Sequence, residues 1–174
     1  MSDIVDLIPR VQILAACDIR DREAFERTIE RECYAPGQTI ITEGETDRAL
    51  WMILKGNCEV VKSENGHPGQ RLATLETGTV FGEMSFFRPA PHSATVRAID
   101  AVEVGRLSTQ AFRELQDRNP AAAVCIMANL VSLLSDRLRR MDERICEVLA
   151  ESASHRQDEW QDFRARLFAT SDFS

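Results

Sequence analysis

All eight glycines of this 174-residue chain fall between Gly37 and Gly105, with none in the first 36 residues or the last 69. Glycine supplies the positive φ angles of tight turns and weakens helices, so the chain reads as a turn-rich centre between two flanks free of that punctuation. Within the centre, short apolar and β-branched segments alternate with turn dipeptides. Pro36-Gly37 precedes 38–42, Glu43-Gly44 precedes 50–54, and Lys55-Gly56 precedes 58–62. A polar loop over 63–69, a segment at 71–75 and Thr77-Gly78 follow, with further strands near 95–98 and 102–107. Seven or eight short strands at this spacing predict a sandwich or barrel, whose edges are managed by closure or by a second layer.

The flanks carry a helical period. Residues 12–30 read as helix, with Asp21 or Asp18 as N-cap and Phe25 and Ile29 facing inward at i, i+4 spacing. After Ser108 the period returns in a short helix over 109–117, and Pro120, suited to a first helical turn, opens a long one. On that helix Val124, Met127, Val131, Leu134, Leu138, Met141, Ile145 and Val148 are spaced 3, 4, 3, 4, 3, 4, 3. Such a heptad seam is the pattern of helix packed on helix. One reading packs the helix on its own domain through Ile126, Leu130 and Leu133, and another makes a parallel homodimer through residues 134–148. The two are compatible, because the first turns are apolar nearly all round while 137–144 is charged except along the seam. The domain is expected over 12–148, with 149–174 a helical extension carrying the stripe Trp160, Phe163, Leu167 and Phe168.

Twenty-eight acidic against 21 basic residues give a net charge of -7, the wrong sign for a grip on nucleic acid. Five cysteines, Cys17, Cys33, Cys58, Cys125 and Cys146, are odd in number, widely spaced and without a C-x-x-C pair. They read as free thiols of a reducing compartment. Leu14-Ala15-Ala16-Cys17 has the look of a lipoprotein box, but Asp3, Asp6 and Arg10 stand where a cationic end and an apolar run belong. The 17-residue uncharged run 119–135 falls short of the ~20 apolar residues of a spanning helix. A cytoplasmic protein with no membrane and no nucleic-acid partner is expected.

The segment richest in chemistry is 81–98, which begins Phe81-Gly82-Glu83-Met84-Ser85. A glycine at a strand end followed by one turn of helix would present the N–H groups of Met84 and Ser85 to an anionic oxygen. A carboxylate there repels phosphate unless it points away, so Glu83 is better suited to accept from a hydroxylated ligand.

Tyr34-x-Pro36-Gly37, Glu43-Gly44-Glu45, Trp51-x-Ile53-x-x-Gly56, Phe81-Gly82-Glu83 and Pro91-x-Ser93-Ala94-Thr95-Val96, in that order and spacing, resemble the cyclic nucleotide-binding domain of catabolite activator-type regulators, protein kinase A regulatory subunits and cyclic nucleotide-gated channels. The resemblance covers about residues 12–148. It implies a mainly β fold, a double-stranded β-helix or jelly-roll barrel flanked by N-terminal helices and a long C-terminal helix, with cAMP or cGMP as ligand. It further implies that Gly82 allows close approach, that Glu83 takes the ribose 2'-hydroxyl, that Met84 and Ser85 face the cyclic phosphate, and that Ser93 adds a polar contact. The long helix would be a lid over the base, and its register leaves either Arg137-Leu138 or Met141-Asp142 to approach it.

One position departs from the pattern. Where the family places a phosphate-binding arginine, this chain has His92. Arginine offers a permanent charge and a two-pronged fork, whereas imidazole is mostly neutral near pH 7. His92 could still donate to phosphate, Arg88 could substitute, or the pocket could have lost cyclic nucleotides. The three histidines, His67, His92 and His155, form no His-x-His pair, so neither a metal site nor a metal enzyme is expected. The 24 residues after Ala150 are too few for a helix-turn-helix domain. The expectation is a non-enzymatic regulatory protein that senses a cyclic mononucleotide and relays it to a protein partner. The alternative is a nucleotide-blind dimeric adaptor on the same fold.

Overall fold

Gly37, Gly44, Gly56 and Gly78 all adopt left-handed φ angles, between 81° and 92°, and the chain reverses at each. The computed structural model describes residues 11–64 and 67–151. Among the described residues there are eight strands, β1 (Glu30–Tyr34), β2 (Thr39–Ile41), β3 (Ala49–Lys55), β4 (Cys58–Glu64), β5 (His67–Leu75), β6 (Val80–Phe81), β7 (Thr95–Ala98) and β8 (Val102–Ser108). They pair antiparallel in two four-stranded sheets, ordered β1-β8-β3-β6 and β2-β7-β4-β5. This is the expected mainly β jelly roll. A 3-10 turn (Gln12–Leu14) and helices α1 (Ile19–Glu26), α2 (Glu83–Phe87), α3 (Thr109–Arg118) and α4 (Pro120–Glu151) accompany it.

Strand β3 is buried at six of its seven positions. Ala49, Trp51 and Ile53 belong to the core between the sheets, with Ile41, Cys58, Phe81, Val96, Ala98, Val102 and Val104. Leu50, Met52 and Leu54 alternate with them and are equally buried, so both faces of the strand are covered and its apolar run is nearly continuous. Burial pushes the Cys58 thiol up to about 11, since a thiolate in that core would lose its water.

Three expectations need correction. Residues 12–30 are not one helix: after the 3-10 turn the chain restarts at Asp18, whose Oδ1 accepts the Asp21 N–H at 2.8 Å as N-cap of α1. The same stretch yields to β1 at Glu30. Glu30, Arg31 and Glu32 hide this edge strand in the sequence, because its one neighbour, β8, is met partly by charge: Arg31 pairs with Glu103 at 3.0 Å and Arg106 with Glu30 at 3.2 Å. The polar loop expected over 63–69 is largely strand, since β4 and β5 extend into it. Finally, Cys17 and Cys125, 108 residues apart, are joined as a disulfide, while Cys33, Cys58 and Cys146 are free.

The chain divides into two compact units between Val131 and Ser132, and α4 contributes to both. In the first unit Ala122, Ala123, Ile126 and Leu130 of α4 are buried. By length and composition 120–148 is apolar enough to cross a membrane, its most apolar 18-residue window having a mean hydropathy of 1.5, but those four buried side chains serve a protein core. In the second unit Leu138, Met141 and Val148 are 54%, 58% and 41% exposed, and Arg139–Asp136 and Arg144–Glu147 pairs lie along the helix. The expected extension over 149–174, with its Trp160 to Phe168 stripe, lies beyond Glu151 and outside the described residues.

Candidate functional site

The site is built on the turn from β6 into α2. Gly82 caps α2 with φ 80° and ψ 4°, and a Cβ at this position would stand 2.5 to 2.7 Å from the Trp51 ring. Glycine is therefore demanded twice, by backbone conformation and by the close approach of the indole. Glu83 occupies the first turn of α2, Met84 is 70% exposed, and Ser85 and Phe86 are buried. The far end of α2 is held by Arg48, whose Nη2 donates to the carbonyls of Phe86 and Phe87 at 3.2 and 3.3 Å. Phe86 also meets Phe112 of α3 edge to face at 5.6 Å. Nothing in the sequence pattern marks Arg48 for this task, because its partners are main-chain oxygens 38 and 39 residues away.

His92 arrives from the segment that follows α2. Its carbonyl accepts the Gly44 N–H at 3.0 Å and its own N–H donates to the Glu45 carbonyl at 2.9 Å, which fixes the residue against the β2–β3 turn. The side chain is 9% exposed, and its ring meets Trp51 edge-on at 5.9 Å. Its Nδ1 lies 3.1 Å from Ser85 Oγ, which in turn lies 3.3 Å from the Gly82 carbonyl. Nε2 is buried and has no hydrogen-bond partner.

Three proton arrangements fit these distances. In one neutral tautomer Ser85 donates to Nδ1 and Nε2 carries the ring proton; in the other Nδ1–H donates to Ser85, whose hydroxyl turns to the Gly82 carbonyl, and Nε2 is a bare acceptor. In the charged ring Nδ1–H donates to Ser85 in the same way and Nε2 also carries a proton. The first and the third leave Nε2–H as a buried donor in search of an acceptor.

At the rim, Ser93 is exposed and its carbonyl accepts from Lys62 Nζ at 2.6 Å. Glu43 accepts from the Ser63 N–H at 2.9 Å and from Lys62 Nζ at 3.2 Å, and these two bonds hold its carboxyl below the usual range. Inside the barrel, Trp51 stacks on Phe81 with ring centroids 6.0 Å apart, and the Arg106 guanidinium stands 5.9 Å from the Trp51 ring. Arg106 is shared among Glu30, Glu32 and Asp47. Tyr34 donates to Glu32, and burial first, then that carboxylate, push its hydroxyl up to about 12. Sequence reasoning missed this cluster because its members lie on separate segments and meet only through the β1–β8 and β3–β8 registers.

The structure thus brings Gly82, Ser85 and His92 together around Trp51, with Glu83 beside them on α2. Met84 faces outward, Ser93 stands at the rim, and Arg88 is exposed at the C-cap of α2. Arg137, Leu138, Met141 and Asp142 lie on α4 in the second unit. Among the described residues no group of three or more His, Cys, Asp or Glu could hold a metal ion.

A family profile described as "Cyclic nucleotide-binding domain" matches residues 31–119. A cAMP-dependent protein kinase regulatory subunit of Candida albicans is 31% identical over 110 residues, 63% of this chain and 23% of that protein. The cyclic AMP receptor protein of Thermus thermophilus is 30% identical over 127 residues, 73% of this chain and 57% of that one. The chain thus spans about a quarter to somewhat over half the length of these relatives. Among solved structures, a cyclic nucleotide-binding domain from Methylobacillus flagellatus superposes with a TM-score of 0.73 at 22% identity, covering 88% of this chain and 84% of that one.

Proposed function

Because the chain belongs to the cyclic nucleotide-binding domain family, we propose that it is a regulatory sensor whose barrel takes a cyclic mononucleotide, cAMP or cGMP, at the Gly82–Ser85 turn. One observation carries the reading: His92 Nε2 is buried and unsatisfied at the position where the family resemblance expects a phosphate-binding arginine. A cyclic phosphate oxygen supplies the acceptor it lacks. Ser85 holds the imidazole from the other side, so the ring is oriented before the ligand arrives and little freedom is lost on binding.

In this reading Gly82 lets the ligand approach the backbone, the N–H groups of Met84 and Ser85 meet the phosphate, Glu83 accepts from the ribose 2'-hydroxyl, and Ser93 adds a rim contact. Replacing a charge-assisted arginine bond by a neutral imidazole costs about 1.5–3 kcal/mol, or about ten- to a hundred-fold in affinity. Binding is therefore weaker than an arginine would give. Arg137 and Leu138, or Met141 and Asp142, cover the base when the long helix closes. Closure shifts the population of α4 only to the extent that the ligand prefers the closed arrangement. The signal passes to a protein partner.

The seam residues Leu138, Met141 and Val148 are exposed and follow the heptad, and they support a homodimer through residues 134–148. Calorimetric titration with cAMP, cGMP and linear AMP tests the sensor reading. Heat with a cyclic nucleotide, reduced at least about tenfold in affinity by Glu83→Ala, is expected. No heat with any of the three at millimolar ligand would overturn it and leave the nucleotide-blind adaptor.

A further inference from the structure

The N-terminal segment is sewn to the rest of the first unit at two points. The Gln12 N–H donates to the Gly78 carbonyl at 3.2 Å, and Cys17 is joined to Cys125 of α4 with the two Cα atoms 5.8 Å apart. That separation lies in the middle of the range a disulfide spans without backbone movement. Between the two joints Ile13 and Leu14 are buried, as is Val11 just before them, and on the other side of the bond so are Ala122, Ala123, Ile126 and Leu130.

A third side chain attends the pair. The Asn129 amide donates to the Ile13 carbonyl at 2.9 Å, and the same nitrogen lies 3.6 Å from Cys17 Sγ and 3.7 Å from Cys125 Sγ. Both sulfurs thus have the same amide nitrogen at their side, and the thiolate is the reactive form of either. Cys17 is 5% exposed, whereas Cys125 is only partly buried, so the two sulfurs differ in access to a reagent.

From this geometry we propose that Cys17 and Cys125 form a reversible redox modification site whose oxidant is a hydroperoxide. The Cys125 thiolate attacks the terminal peroxide oxygen. The O–O bond breaks, the alkoxide leaves and takes a proton as the alcohol, and Cys125 becomes a sulfenic acid. The Cys17 thiolate then attacks the Cys125 sulfur, the S–S bond forms and hydroxide leaves as water. Two thiols have lost two electrons and two protons, and one hydroperoxide has become alcohol and water. An external dithiol reverses the bond by exchange, entering at the more accessible Cys125. In the oxidised state the first turns of α4 are stapled to the segment that runs into the barrel, and in the reduced state Asn129 and apolar packing alone hold them.

The test uses the full chain carrying Cys33→Ser and Cys146→Ser, which removes the exposed thiols, reduced and then treated with cumene hydroperoxide. Excess N-ethylmaleimide, digestion and mass spectrometry read the products. A Cys17–Cys125 linked peptide that dithiothreitol dissolves in the folded protein is expected. The bond closes a loop of more than a hundred residues, so Tm should rise by about 5–15 °C on oxidation, and a variant with Cys125→Ser added should show no such rise. Full maleimide labelling of Cys17 and Cys125 after oxidant, or a linked peptide with unchanged Tm, overturns the proposal.

Discussion

Ser85 Oγ and His92 Nδ1 lie 3.1 Å apart, a bond between the first turn of a five-residue helix and a side chain seven residues later in the chain. It anchors one ring nitrogen and leaves the other, Nε2, buried and without a hydrogen-bond partner, the atom that the proposed reading turns toward a cyclic phosphate.

Gly82→Ala tests the turn itself. The substitution forces an L-residue into the left-handed region and drives a methyl carbon into the Trp51 ring. Strain and overpacking each cost on the order of 1–3 kcal/mol, so urea unfolding should report a loss of at least about 2 kcal/mol.

At the far end of the barrel, Asp100 accepts from the Asn57 N–H and the Asn57 side-chain amide, both at 2.8 Å. These bonds hold its carboxyl below the usual range. A depressed folded-state pKa means the stabilisation is complete above the unfolded value of about 3.8 and fades as pH falls through the folded one. Asp100→Asn should thus lower Tm at pH 7, and the gap to the wild type should narrow below about pH 4.

How much of this was legible beforehand follows from what kind of signal each feature leaves. Turn glycines and alternating apolar segments announce β2, β3, β4, β7 and β8, because period and punctuation are local. The turn from Phe81 into α2 was readable for the same reason. Strand β1 was not, since Glu30 and Glu32 owe their place to Arg106 on another strand. Likewise Cys17 and Cys125 are matched by the fold across 108 residues, and no spacing rule reaches that far. His92 is visible in the sequence as a substitution, but its bond to Ser85 and the packing of Trp51 under Gly82 are made by the fold and leave no local pattern.

For the second unit, the exposed seam leads to a prediction of assembly. At about 10 μM the chain should sediment as a dimer, and Met141→Glu, which places a charge in the seam, should shift it to monomer. A wild type that sediments as monomer at this concentration contradicts the pairing through residues 134–148.

The central claim, that the barrel recognises a cyclic phosphate through His92, is tested most directly by the ratio of cAMP and cGMP affinities between His92→Arg and the wild type. Measured by calorimetry at pH 7.5, the arginine variant should bind the preferred nucleotide about ten to a hundred times more tightly, because a permanent charge and a two-pronged donor then face the phosphate. If neither the wild type nor His92→Arg gives any heat, the pocket does not take cyclic nucleotides and the account fails.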